Sequence, residues 1–166
     1  MTKNELAITT RDIALIGIAL TIIEVTKFAL SFVPGIEVVS LLFIIYTLFF
    51  RKKIVYVIPA FCLLEGVLYG FGIWWFMYLY IWAILAVVTY LFRNRTSIWF
   101  WSILSGIYGL LFGLLCCPVY LATGGISMAI SWWVAGIPTD IIHGISNFII
   151  CLMLFKPLNG VLKWLK

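Results

Sequence analysis

Charge is what this sequence has least of. Only 10% of its 166 residues are Asp, Glu, Lys or Arg, while 65% are hydrophobic. A soluble domain carries about 25% charged residues to cover its surface. The outside of this fold must therefore be apolar, and its solvent is lipid. Histidine occurs once, with no GxSxG or HExxH context to supply a nucleophile or a metal, so the expectation is that the chain is not an enzyme. A GxxxxGK[ST] run is missing as well, which excludes a P-loop of its own. Cys62, Cys116, Cys117 and Cys151 lie in apolar runs without metal-site spacing and read as small packing residues. Residues Met1 to Thr10 are polar and lack the order of a cleaved signal.

What is present is a succession of apolar stretches, each near the roughly 20 residues that cross a bilayer as a helix. The expected spans are 12–33, 36–50, 54–72, 73–92, 97–118 and 138–155, within a single membrane domain over 1–166. Pro34-Gly35 closes the first span. Pro138 suits the first turn of the last, where a missing N–H costs nothing. Residues 119–137, broken by Gly124-Gly125 and Gly136, read as a loop or re-entrant lid. The tail from Lys156 to Lys166 alternates Lys with apolar residues and is expected along the interface.

Basic residues set the orientation. Lys3 and Arg11 precede the first span, and Arg51, Lys52 and Lys53 follow the second. Arg93 and Arg95 follow the fourth, and Lys156, Lys163 and Lys166 follow the sixth. The alternate connections carry none. The positive-inside rule puts all ten in the cytoplasm, which predicts an all-α integral membrane protein of six transmembrane helices with both termini cytoplasmic. Its expected location is the cell membrane, the bacterial cytoplasmic membrane if the resemblance given below holds.

Several ionisable groups sit within these spans or at their edges: Glu24, Lys27, Glu37, Glu65, Asp140 and His143, with Asn147 beside them. A charge at the bilayer centre costs about 2.5–3.5 kcal/mol on insertion scales, so such groups face the interior or a wet cavity. At 1.5 Å per residue they fall mostly in the outer half, which predicts a pocket open to the outside. Asp140, His143 and Asn147 share one helical stripe by their spacing. Plainer roles remain open: Glu24 and Lys27 can neutralise each other, Asp140 can serve as an N-terminal helix acid, and the stripe can join helices by hydrogen bonds. Trp74, Trp75, Tyr78, Tyr80 and Trp82 crowd the outer start of the fourth span, and Trp132-Trp133 precede the sixth. Some of these form an interfacial belt; the faces of others suit a flat ligand.

Three segments carry a resemblance: Pro34-Gly35-Ile36-Glu37-Val38-Val39; Leu64-Glu65-Gly66 with Tyr69-Gly70; and Gly136-Ile137-Pro138-Thr139-Asp140-Ile141-Ile142-His143-Gly144-Ile145-Ser146-Asn147. With them the whole chain resembles the substrate-binding S-components of energy-coupling factor (ECF) transporters, although the family usually has an aromatic residue where Thr139 stands. Membership implies six helices, a vitamin-like substrate in a pocket near the outer face, and partners: a membrane coupling subunit and two ATPase subunits that bind the ATP. The chain itself then needs no cofactor. The implied substrate-binding residues are Glu65, Trp75, Trp132, Trp133, Asp140, His143 and Asn147. The implied docking face on the first helix holds Ala14, Gly17 and Ala19, with Ile18 interrupting a strict small-xxx-small pattern. Cobalamin is the favoured ligand, with pantothenate, pyridoxine or a pyrimidine precursor as alternatives. The competing class is a proton-coupled secondary transporter working through Glu65 or Asp140.

Overall fold

The computed structural model describes residues 6–164. Among them the fold is all-helical. Helix α1 (Thr10–Leu30) opens on a capping box: Thr9 accepts from the Asp12 amide while the Asp12 carboxylate accepts from Thr9 N, 2.8 Å away, which satisfies two amides that a helix start leaves bare. Helix α2 (Val39–Phe50) is short, and ten of its residues are buried. A 3-10 turn (Arg51–Lys53) leads into α3 (Ile54–Tyr69), then α4 (Ile73–Leu91), α5 (Ile98–Leu110) and α6 (Phe112–Trp164).

Helix α2 is the hub of the bundle. At 12 residues and 1.5 Å each it is shorter than the about 30 Å of hydrocarbon, so a crossing here needs the segments flanking it, and it is sheathed by the other helices. That placement explains a sequence hydrophobic all round. Phe43, at its centre, stacks on Trp82 of α4 at 4.8 Å and meets Phe61 of α3 edge-on at 5.2 Å. In contrast, α1 buries only Ile16, Ala19 and Ile23. Among the described residues, three stretches are long and apolar enough to cross a membrane: Thr10–Leu30, Ile73–Leu91 and the 65-residue run Ile98–Leu162.

That last run differs from the expected pattern. Residues 119–137, expected as a loop or lid, are helical. Helix α5 continues through Leu111, whose amide bonds Ile107 O at 3.0 Å, into α6. The helix is interrupted at Gly125, where φ is 74° and ψ is −175°. Only glycine adopts this conformation without strain, and the chain turns back on itself there. The two arms pack antiparallel, with Gly113 against Asp140, Gly109 against Gly144 and Gly106 against Phe148. Pro138, expected in a first turn, thus lies inside a helix: a proline removes one intrahelical bond, and packing against the facing arm holds the helix through it. The tail, too, stays helical as far as Trp164.

The bundle has two unlike ends. At one, Lys53 Nζ pairs with Asp12 at 2.7 Å, and Arg11, Arg51, Lys52, Lys53 and Arg93 surround one cavity. Arg95 and Asn159 join Arg51 and Arg93 beside it. Six of the basic groups assigned to one side by sequence, Arg11, Arg51, Lys52, Lys53, Arg93 and Arg95, thus converge; Lys156 lines neither cavity, Lys3 and Lys166 lie outside the described residues, and so does the side chain of Lys163. The opposite end holds the polar groups that the apolar helices enclose.

Candidate functional site

The segment between α1 and α2 builds the mouth of a pocket at this second end. Glu37 lies one residue before the α2 N-cap and accepts from the Ser40 amide at 3.0 Å and the Ser40 hydroxyl at 2.6 Å, a placement that the positive end of a helix favours. From α6, Ser146 Oγ donates to Gly35 O at 2.7 Å, pinning the turn against the hairpin. His143 Nε2 lies 2.8 Å from Glu37 Oε1. Asn147 Nδ2 donates to Ser40 Oγ at 3.2 Å. A continuous polar chain, Asn147–Ser40–Glu37–His143, therefore joins α6 to the start of α2.

The pocket encloses about 380 Å³, with Lys27, Glu37 and His143 as its charged or titratable lining and Tyr78, Trp82 and Phe112 as its aromatic lining. The rings form a connected wall: Tyr78 meets Trp82 at 5.5 Å, Trp82 meets Phe112 at 6.2 Å, and Phe112 meets the His143 ring at 5.1 Å. The Trp82 indole N–H is buried without an acceptor, an omission that buried donors rarely show.

Lys27 links this pocket to a second cluster deeper in the bundle. Its ammonium pairs with Glu65 of α3 and lies 4.9, 5.6 and 5.9 Å from the ring centroids of Tyr69, Phe61 and Tyr78, within reach of a cation–π contact. Neutralisation of Lys27 by Glu24, three residues away, was the plainer reading of the sequence; the ion pair goes to Glu65 instead. Glu24 stands next to the pair, close enough to Glu65 for the two acids to repel. Its carboxylate oxygens are buried and form no hydrogen bond of normal geometry.

The residues singled out from sequence are divided by the fold. His143 lines the pocket, Glu65 lies behind it through Lys27, and Asn147 supports it through Ser40. Asp140 is turned to the facing arm, where its two oxygens accept from the Gly113 amide at 3.1 and 3.2 Å. That contact explains why the stripe Asp140–His143–Asn147 serves two neighbours rather than one. Trp75 donates from Nε1 to Cys62 O at 2.7 Å, tying α4 to α3. Trp132 stacks on Tyr120 at 4.1 Å across the hairpin and, like Trp133, is exposed and outside the pocket lining. Lys27, Glu37, Tyr78 and Trp82 line the pocket although the sequence only placed them among its ionisable and aromatic groups, outside the implied substrate-binding set, and Phe112 was not singled out at all. The aromatic signal was weak, since α2 to α6 all carry several aromatic residues. On α1, Ala14 and Gly17 are exposed while Ala19 is buried.

Comparison with family models, with curated proteins and with solved structures gave no match to this chain.

Proposed function

We propose that this chain is the substrate-capturing membrane subunit of an ECF-type vitamin importer, with six transmembrane helices, both termini in the cytoplasm and the pocket facing outward. One observation carries the reading: a pocket with an aromatic wall and a few convergent polar groups occupies the end of the bundle opposite the basic one, the side that the positive-inside rule assigns to the exterior. Coupling and ATP hydrolysis fall to a membrane coupling subunit and two ATPases.

The pocket narrows the ligand. Its 380 Å³ holds a single ring with substituents, whereas a corrinoid is far larger, which argues against cobalamin. Lys27 is already paired with Glu65, with Glu24 beside them, and Glu37 lines the same pocket, so a further anion such as pantothenate meets repulsion. A flat, neutral or weakly basic heterocycle of pyridoxine or aminopyrimidine size fits best, stacked on Trp82 or Phe112 and oriented by His143 and Glu37. Calorimetric titration of the purified protein with pyridoxine, an aminopyrimidine, pantothenate and cobalamin tests this. Saturable binding of cobalamin alone would overturn the ligand assignment.

A second reading, a proton-coupled secondary transporter, draws on the buried Glu24–Glu65 acid pair. The two readings part on energetics. In vesicles, the subunit reading expects accumulation of substrate only with the partner subunits and internal ATP. Concentrative uptake by the chain alone, driven by a proton gradient, favours the second.

A further inference from the structure

Lys27 is the one lysine among the residues that line the pocket between α1, α2, α4 and α6, and capture of a ligand by stacking and hydrogen bonds leaves its amine unused. Its ammonium is held by the Glu65 carboxylate inside a cage of aromatic faces, 4.9 Å from the Tyr69 centroid, 5.6 Å from Phe61 and 5.9 Å from Tyr78. Tyr78 belongs to the pocket wall as well, so the lysine stands where pocket and cage meet. Its side chain is 21% exposed, against 2% for Glu65, so of the two partners it is the lysine that a small molecule can approach.

Fold stability does not account for this choice of residues. Well-packed apolar side chains often stabilise a buried site as well as an ion pair does. Where a buried pair is only structural, arginine suits it better, because its fork bonds a carboxylate through two donors. Lysine differs in carrying a primary amine, which adds to carbonyl carbon. The surroundings fit the product of that addition. A protonated imine has the same single positive charge as the ammonium, so Glu65 stays its counter-ion and the caging rings stay its cation–π partners. Glu24 is the second acid beside the pair, within electrostatic reach of Lys27. Its buried carboxylate oxygens form no hydrogen bond of normal geometry, and they are placed to take a proton from the ammonium and return it.

We infer that Lys27 is a covalent capture site for an aldehyde on a single aromatic ring, which it holds as a protonated imine. The inference rests on the pocket proposed above as the ligand site and adds a bond to it. The step balances without an oxidant or a reductant. The ammonium passes a proton to Glu24, and the amine lone pair forms a bond to the carbonyl carbon. The carbonyl oxygen takes the electron pair of its π bond and then the proton from Glu24. Glu24 carries one further proton from nitrogen to that oxygen. The C–O bond breaks, water leaves, and the nitrogen lone pair completes the C=N bond. Addition of water reverses the sequence and releases the aldehyde, so capture is reversible.

The test uses the purified full chain with pyridoxal, and with pyridoxine, the same ring carrying an alcohol in place of the aldehyde. Pyridoxal is expected to give an absorbance band at longer wavelength than the free aldehyde. Borohydride reduction and peptide mass spectrometry are expected to find the adduct on Lys27, and excess pyridoxine to suppress it. Lys27→Arg, which keeps the charge without a primary amine, should lose band and adduct, as should Lys27→Met/Glu65→Gln. Where these variants fail to fold, the mapped position of the adduct on the parent chain decides. Glu24→Gln should slow the appearance of the band about a hundredfold or more, the scale of a positioned proton carrier; an unchanged rate would overturn the proton path through Glu24. An adduct spread over Lys52, Lys53 and Lys156, or an undiminished band in the Lys27 variants, would overturn the inference. Saturable binding of both compounds with no trapped adduct would overturn it too, and leave the pocket reading standing. Binding of neither would remove the pocket reading with it.

Discussion

His143 Nε2 lies 2.8 Å from Glu37 Oε1, and this contact fastens the second arm of the α5–α6 hairpin to the loop that opens α2. Glu37 also accepts from the Ser40 amide and hydroxyl, so one carboxylate organises the mouth of the pocket and the start of the central helix together.

Removing that carboxylate should affect both. Glu37→Ala leaves His143 and the Ser40 amide without their acceptor, at a cost of about 1–3 kcal/mol in stability. Glu37→Gln keeps an acceptor and should lose less. If His143 touches the ligand, His143→Ala should weaken binding about tenfold or more at a near-normal melting temperature. Melting temperature and affinity measured on the same purified variants separate the two roles; unchanged affinity in both alanine variants would place the ligand elsewhere.

The Lys27–Glu65 pair gives a thermodynamic test. Glu65 is 2% exposed, so Lys27→Met strands its carboxylate, and breaking such a buried pair costs about 3–5 kcal/mol. Lys27→Met/Glu65→Gln should regain much of that loss, because the Glu65 carboxylate is no longer left buried without its partner. Unfolding in detergent followed by circular dichroism measures both. A double variant no more stable than the single one would show that the ion pair is not what the lysine contributes.

Helix contact across the hairpin can be probed at glycine. A Cβ on Gly109 would lie 2.9 Å from backbone atoms of Gly144 and His143, too close without backbone movement, so Gly109→Val should destabilise by about 1–3 kcal/mol. On α1 a Cβ at Gly17 meets nothing within 4 Å, and Gly17→Ala should stabilise by about 0.5–1 kcal/mol. A Gly17→Leu variant that folds and binds substrate yet fails to assemble with a coupling subunit would mark this exposed face as the docking surface; normal assembly would remove Gly17 from it.

Topology is testable with exposed positions. In a background without the native cysteines, single cysteines at Phe71 and Ile126 should react with an impermeant thiol reagent from outside the cell, and one at Asn94 should not. Strong external labelling at Asn94 would reverse the orientation and, with it, the outward-facing pocket.

The gross character of the protein was legible before any coordinates. Apolar runs with scarce charge dictate helices, because a backbone in lipid must satisfy its own hydrogen bonds. The spacing of Arg11, Arg51–Lys53 and Arg93–Arg95 foretold one basic end. Helix limits were less legible. Glycines and Pro138 between 119 and 138 read as a break, yet packing of Gly109 on Gly144 and the Asp140–Gly113 bond hold the hairpin helical beyond it. Local signals weigh single residues, and tertiary contact outweighs them.

Which polar groups meet was decided by tertiary structure alone. Sequence spacing could pair Lys27 with Glu24 on its own helix, but only the packing of α1 beside α3 delivers Glu65 to the lysine. Spacing likewise put Asp140, His143 and Asn147 on one stripe, and the neighbours on either side then divided them between Gly113 and the α2 start. Hydrophobicity and charge act through composition, which a sequence displays directly. A pocket depends on distances between residues far apart in the chain, such as Glu37 and His143, and those exist only once the helices are packed.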